Sequence, residues 1–180
     1  PRHRFTVHIF EPSVHPGAGP IYDPGQPDVL LMNFPAGMIN AWTGERGPSF
    51  LEWALRSPKP VDAGDYVPRA HVGRYLFWSF ERVVAQAPSN VRLIRHKTRV
   101  DSVNRNGDQW QISPQNVTVD HVLITTGHQD GFRQGETTTH DHNPSPFPID
   151  RRLTQTAVPP NSTVRCKGFA LTFIDTMLAL

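Results

Sequence analysis

The chain has 180 residues, is 37% hydrophobic and 19% charged, and carries a formal net charge of +2. That length holds one domain with a real core, and so small a charge argues against a nucleic-acid partner despite a pI near 9.1. The one cysteine, Cys166, excludes an internal disulfide and agrees with a reducing, cytoplasmic setting, and no apolar run reaches the ~20 residues needed to span a bilayer, so no membrane partner is expected.

The first predicted element is a strand ending in Phe10, with Phe5, Val7 and Ile9 alternating with Thr6 and His8. It runs into Glu11. In dinucleotide-binding sheets a carboxylate at the end of the second strand accepts hydrogen bonds from a ribose 2′-OH, about 20 residues after a Gly-rich fingerprint. Glu11 suits that role in type and place, yet no G-x-G-x-x-G occurs in the chain. Two readings stay open at this point: an ordinary strand-end carboxylate, or a chain that begins after its own first βα unit.

Residues 12–47 are rich in Pro and Gly and predict a long irregular segment, pinned to the core by Leu30, Leu31, Met32 and Phe34. Pro48 to Arg56 predicts a short helix, with Phe50, Leu51, Ala54 and Leu55 on one face. Val72 to Gln86 predicts a longer one, because Val72, Tyr75, Leu76, Ser79, Phe80 and Val83 recur at helical spacing. From Val91 the period falls to two. Strands are predicted at Val91–Ile94, Thr98–Val103, Gln109–Ser113 and Val117–Val119, with a turn at Asn106-Gly107-Asp108. Arg92, Arg95, Lys97 and Arg99 form the densest basic group and read as a solvated face.

Val122-Leu123-Ile124-Thr125-Thr126-Gly127 predicts a buried parallel strand that ends in a turn where the backbone can approach a ligand. Residues 129–160 read as a polar linker, Thr163–Cys166 as a last strand, and Ala170–Leu180 as an apolar helix with no stop signal. His128, His140 and His142 lack the spacing and thiolate company of a metal site, so no metal is expected. No Gly-x-Ser-x-Gly, H-E-x-x-H or P-loop is present, which leaves hydrolase and kinase readings without support.

Several blocks recur together in order: Phe10-Glu11-Pro12, His15 to Tyr22, Leu30 to Ala36, Gly47 to Trp53, Val67 to Ala70 with Gly73 to Leu76, Leu123 to His128, and Leu171 to Asp175. In this set the chain resembles the FAD/NAD(P)-binding domain of the flavin-monooxygenase-like family that includes FAD-dependent urate hydroxylase. The resemblance implies an α/β, Rossmann-like domain with a small antiparallel insert at about 97–119 and the start of a second nucleotide-binding unit at about 163–180. It implies that residues 1–180 are a partial domain, truncated at both ends. It implies FAD as cofactor, NAD(P)H as a candidate second nucleotide, a small-molecule substrate and an FAD-dependent, monooxygenase-like oxidoreductase activity.

The same resemblance assigns Glu11 to the adenosine ribose of FAD, Gly17 and Gly19 to the loop beside it, and the Val100 backbone to the adenine. Thr126 and Gly127 become a second FAD-proximal turn, and Asn33 and Arg69 become either groups facing the flavin or its phosphates or staples of their own loops. Gly168-Phe169-Ala170 occupies the place of a second G-x-G, where the Ala170 methyl obstructs close approach to a pyrophosphate. No residue is a convincing acid, base or nucleophile, so no catalytic residue is assigned, and the oligomeric state is left open. The rival reading is a truncated or degenerate domain that binds no cofactor or serves as an interaction module. The expected architecture is a parallel sheet of residues 5–11, 121–125 and 163–166, with 98–119 as a separate antiparallel unit.

Overall fold

Strand β1 (Phe5–Phe10) leads through the irregular segment, helix α1 (Phe50–Ala54) and helix α2 (Arg69–Ala85) to strand β2 (Val91–His96), which lies parallel to it. The computed structural model describes residues 3–56, 60–127 and 145–180. Strands β3 (Ser102–Asn106), β4 (Gln109–Ser113) and β5 (Val117–Val119) then form a three-stranded antiparallel sheet. Two helices follow, α3 (Ile149–Arg152) and α4 (Leu171–Ala179). Among the described residues the architecture is mixed α/β, with one parallel pair and one antiparallel meander.

Local chemistry explains the elements. Ser49 caps α1: its side chain accepts the Glu52 N–H, and the Glu52 carboxylate accepts the Ser49 N–H at 2.7 Å, a reciprocal capping box. That backbone bond, more than the hydroxyl bond beside it, holds the Glu52 carboxyl below its ordinary range. Helix α2 follows Pro68 and turns Val72, Tyr75 and Ser79 inward at helical spacing. The β3–β4 turn needs a left-handed residue, and Gly107 supplies it at φ +62°.

The core lies where α1, α2 and the irregular segment meet. Phe50 and Tyr75 are both 0% exposed, and Met32, Ala36, Ile39, Ala54, Val67 and Val72 pack with them. The Tyr75 hydroxyl donates to the Pro48 carbonyl at 2.8 Å and accepts the Ala41 N–H at 3.1 Å, so the buried phenol is fully partnered. Burial first of all raises its pKa. The segment at residues 12–47 is tied down by backbone: Met32 N–H donates to the Val67 carbonyl at 2.9 Å, and Arg69 N–H to the Leu30 carbonyl at 2.8 Å. Gly73, buried in α2, is where Tyr22 crosses the helix. A Cβ at that position would run into the Tyr22 carbonyl oxygen.

The expected sheet is corrected in two places. Residues 121–127 belong to no sheet, with Leu123 87% and Ile124 73% exposed. Residues 163–166 are likewise exposed and form no strand. β-branched sequence makes a run fit for a sheet, but only a neighbouring strand satisfies its backbone groups. Residues 91–96 provide that neighbour for β1, and no strand edge lies against 121–127 among the described residues. The first strand of the predicted insert also shifts, from Thr98–Val103 to Ser102–Asn106.

Candidate functional site

The C-terminal end of β1 gathers several of the expected residues. Glu11 N–H donates to the His96 carbonyl at 3.0 Å, which continues the β1–β2 ladder by one residue. The Glu11 side chain then folds onto its own loop: Oε1 accepts the Ser13 N–H at 2.8 Å, and Ser13 Oγ accepts the His15 N–H at 3.0 Å. A carboxylate has about four acceptor positions. One is used in this turn, so the half-buried Glu11 keeps capacity for a hydroxyl donor.

Gly17 and Gly19 follow in the same loop, both left-handed at φ +88° and +65°. They do different things. A Cβ on Gly17 would stand 3.1 Å from the Leu76 carbonyl oxygen and 3.2 Å from Phe80 Cβ, so this glycine seats the loop on α2. Around Gly19 no heavy atom lies within 4 Å of such a Cβ, which leaves its backbone approachable. Val100 follows β2 at the same end of the parallel pair, half-buried just ahead of β3.

The other expected residues fall elsewhere. Asn33 is exposed beside the Leu31–Pro68 bridge. Arg69 stands across that bridge, and its side chain is already engaged. Its guanidinium grips Asp175 in a fork, Nη1 to Oδ2 at 2.7 Å and Nη2 to Oδ1 at 3.0 Å. The planar donors suited to a phosphate are already used on a carboxylate. Thr126 and Gly127 are exposed at the end of the unpaired run, with Gly127 at φ +66° and open space around it. No hydrogen bond joins them to the Glu11 loop among the described residues. His128, His140 and His142 lie outside the described residues.

Two features of this site were not singled out in the sequence. Arg95 sits on β2 opposite Ile9, and its Nη2 donates to the Ser13 carbonyl. It thereby braces the turn that holds Glu11. Its Nε is buried with no hydrogen-bond partner among the described residues, in a cleft of about 350 Å³ lined also by Ile9, Phe77, Phe80 and Leu93. An Arg on the same strand face as Leu93 was the available signal, hidden by reading the basic group as solvated.

On the other face, His8 Nδ1 and His96 Nε2 are 2.9 Å apart, with ring centroids 5.2 Å apart and planes 14° from parallel. Those values place the rings edge to edge, so one imidazole donates to the other. Burial, then the His96 and Arg92 charges, pushes the His8 pKa below 6.5. Phe10 stacks on His96 at 4.4 Å, directly before Glu11.

Residues 1–129 of the chain match the FAD-NAD(P)-binding family. The chain belongs to this family. Three curated relatives align over almost its whole length. Nitrosuccinic acid synthase of Aspergillus oryzae is 30% identical over 100% of the chain and 31% of its own length. The L-aspartate N-monooxygenases (nitrosuccinate-forming) of Streptomyces davaonensis and Streptomyces cremeus are 28% and 27% identical over 97% and 96% of the chain. The chain spans about a third of the length of these relatives.

For a member of the FAD-NAD(P)-binding family, the end of β1 fits one part of a flavin nucleotide. Glu11 keeps acceptor capacity of the kind a ribose hydroxyl needs, and Gly19, eight residues on in the same loop, has approachable backbone. Arg69 does not fit the diphosphate while Asp175 holds its fork. FAD, when bound, supplies the electron transfer, and protein groups of this kind bind and orient it.

Proposed function

We propose that the chain is part of an FAD-dependent, NAD(P)H-linked oxidoreductase of monooxygenase type, built on a Rossmann-like sheet and acting on a small molecule. The observation that carries this reading is Glu11: a carboxylate at the carboxyl end of a parallel strand, held in a defined turn by Ser13 and backed by Arg95, in a chain of the FAD-NAD(P)-binding family. Ligands of open α/β sheets bind at that end of the strands. Relatives named for nitrosuccinate formation and for L-aspartate N-oxygenation favour an amine-bearing acid as substrate and hydroxylation at nitrogen. They do not point towards urate, the substrate named in the group first resembled. Gly17 supports the loop, Thr126 and Gly127 remain candidates for a second FAD-proximal turn, and Asn33 for a group near the flavin.

Flavin fluorescence titration tests this with three samples: the chain, the chain extended upstream by a strand and a G-x-G-x-x-G turn, and that extended form carrying Glu11→Ala. The chain alone should bind FAD weakly, because the diphosphate needs backbone N–H groups at a helix N-terminus. The extended form should bind, and Glu11→Ala should weaken it roughly ten- to a hundredfold, matching about 1.5–3 kcal/mol for a charge-involving hydrogen bond. Unchanged affinity in the variant removes Glu11 from the site. Absence of binding in both glutamate-bearing forms favours the rival reading, a domain that holds no flavin.

A further inference from the structure

Helix α4 is inverted in its burial. Its buried residues are polar, Asp175 and Thr176, whereas Leu171, Ile174, Met177 and Leu178 are exposed. An amphipathic helix ordinarily turns its apolar stripe to the core. Thr176 satisfies itself locally, its Oγ1 donating to the Thr172 carbonyl at 2.8 Å. Asp175 instead accepts both arms of Arg69, with side-chain exposures of 6% and 12%. The two residues are 106 positions apart.

Arg69 is itself fixed. It is the first residue of α2, and its N–H is held by the Leu30 carbonyl. The fork therefore joins a rigid point of the core to a helix that has little apolar contact of its own. Immediately before α4 lie Gly168, at φ +106°, and the extended Ala170. That is the turn expected to begin a second nucleotide-binding unit.

We propose that Arg69 and Asp175 are a positioning pair that docks α4, and with it the 168–170 turn, onto the start of α2. The pair decides where the turn stands relative to the Glu11 end of the molecule, and it replaces the apolar packing that would usually hold such a helix. The docking is independent of the flavin reading; only its value for a second nucleotide rests on that reading.

Hydrogen exchange by mass spectrometry, on the full 180-residue chain, tests the docking directly. Asp175→Asn should speed exchange across residues 171–180 by roughly tenfold or more while β1, β2 and the centre of α2 keep their protection. Arg69→Lys, which keeps the charge and loses the fork, should fall between that variant and the parent. The reversed pair, Arg69→Asp with Asp175→Arg, should regain part of the protection lost in Asp175→Asn.

A probe at Cys166 reports on the turn itself, since this cysteine is exposed two residues before Gly168. The anisotropy of a fluorophore there should drop in Asp175→Asn and recover in the reversed pair. Unchanged exchange in 171–180 for Asp175→Asn overturns the proposal, as does a reversed pair no better than the single variant. Loss of protection spread evenly over the chain also overturns it, because the pair would then be general stability and not positioning. None of these readouts involves a flavin or a dinucleotide, so they stand or fall apart from the titration of Glu11.

Discussion

Residues 5–10 and residues 121–125 carry the same kind of sequence, short and rich in β-branched and aromatic or aliphatic residues, yet only the first run is a strand. Phe5–Phe10 finds Val91–His96 beside it over its full length, in parallel register from Phe5 opposite Val91 to Phe10 opposite His96. Residues 121–125 find no strand edge among the described residues, and all of them but the half-buried Val122 are exposed. Propensity is therefore a condition on the run, while the partner is a condition on the rest of the molecule. The same contrast divides the chain more broadly. Side chains of the irregular segment, α1 and α2 share burial around Phe50 and Tyr75, whereas 163–170 are exposed throughout.

The contrast is sharpest in truncations of matching kind. Phe50→Ala empties the centre of the core and should cost about 3–5 kcal/mol in a urea titration followed by tryptophan fluorescence. A loss below about 1 kcal/mol would mean that this half is no better packed than the other. Gly73→Ala comes next, and its sign is the test. Alanine in a helix is ordinarily about 1 kcal/mol better than glycine. Here the Tyr22 carbonyl occupies the space, so the substitution should destabilise by about 1–3 kcal/mol as the loop is pushed off α2. A gain in stability would detach the irregular segment from the core.

Acid should act on the same half. His71 packs against Phe50 at 5.2 Å between ring centroids, and burial, aided by Arg74 and opposed by Asp28, pushes its pKa below 6.5. The unfolded chain then binds the proton more readily than the folded one. The contribution from neutral His71 is complete above the unfolded value near 6.5 and is lost as pH falls through the lower folded value. Urea midpoints should decline over that window, and His71→Gln should flatten part of the decline, the remainder coming from His8, which is shifted the same way. Midpoints that rise on acidification would reverse the assignment. The smallest effect belongs to Leu123→Ala, expected within about 0.5 kcal/mol of the parent because the side chain is 87% exposed. A loss near that of Phe50→Ala would place this run in a packed environment and erase the comparison.

What sequence reveals here follows from how far each contact reaches. Helices α1 and α2 are legible because their apolar spacing is local, whereas the Ser49–Glu52 box that caps α1 is a finding of the structure. The β4–β5 strands and the Gly107 turn were visible for the same reason. Glu11 was visible because a carboxylate at a strand end is a local pattern too. The partner of Arg69 is not legible because it lies 106 residues away, and nothing near residue 69 distinguishes a fork for a carboxylate from one for a phosphate. Arg95 was passed over because its acceptor is a backbone carbonyl, Ser13, which has no sequence signature. The His8–His96 bond needs the β1–β2 register before it can be drawn at all.

The tryptophans are distributed in a way that makes the molecule its own optical gauge. Trp42 and Trp53 each lie 6.4 Å from Trp78 between ring centroids, and Tyr75 stacks near Trp78 at 6.3 Å. Indoles that close share excitation, so this group should give an exciton pattern in near-ultraviolet circular dichroism that vanishes when α1 and the irregular segment both separate from α2. Trp110 stands apart in the meander with the Arg105 guanidinium 5.5 Å from its ring. One spectrum thus carries two independent chromophoric zones, one for the helical core and one for the antiparallel sheet.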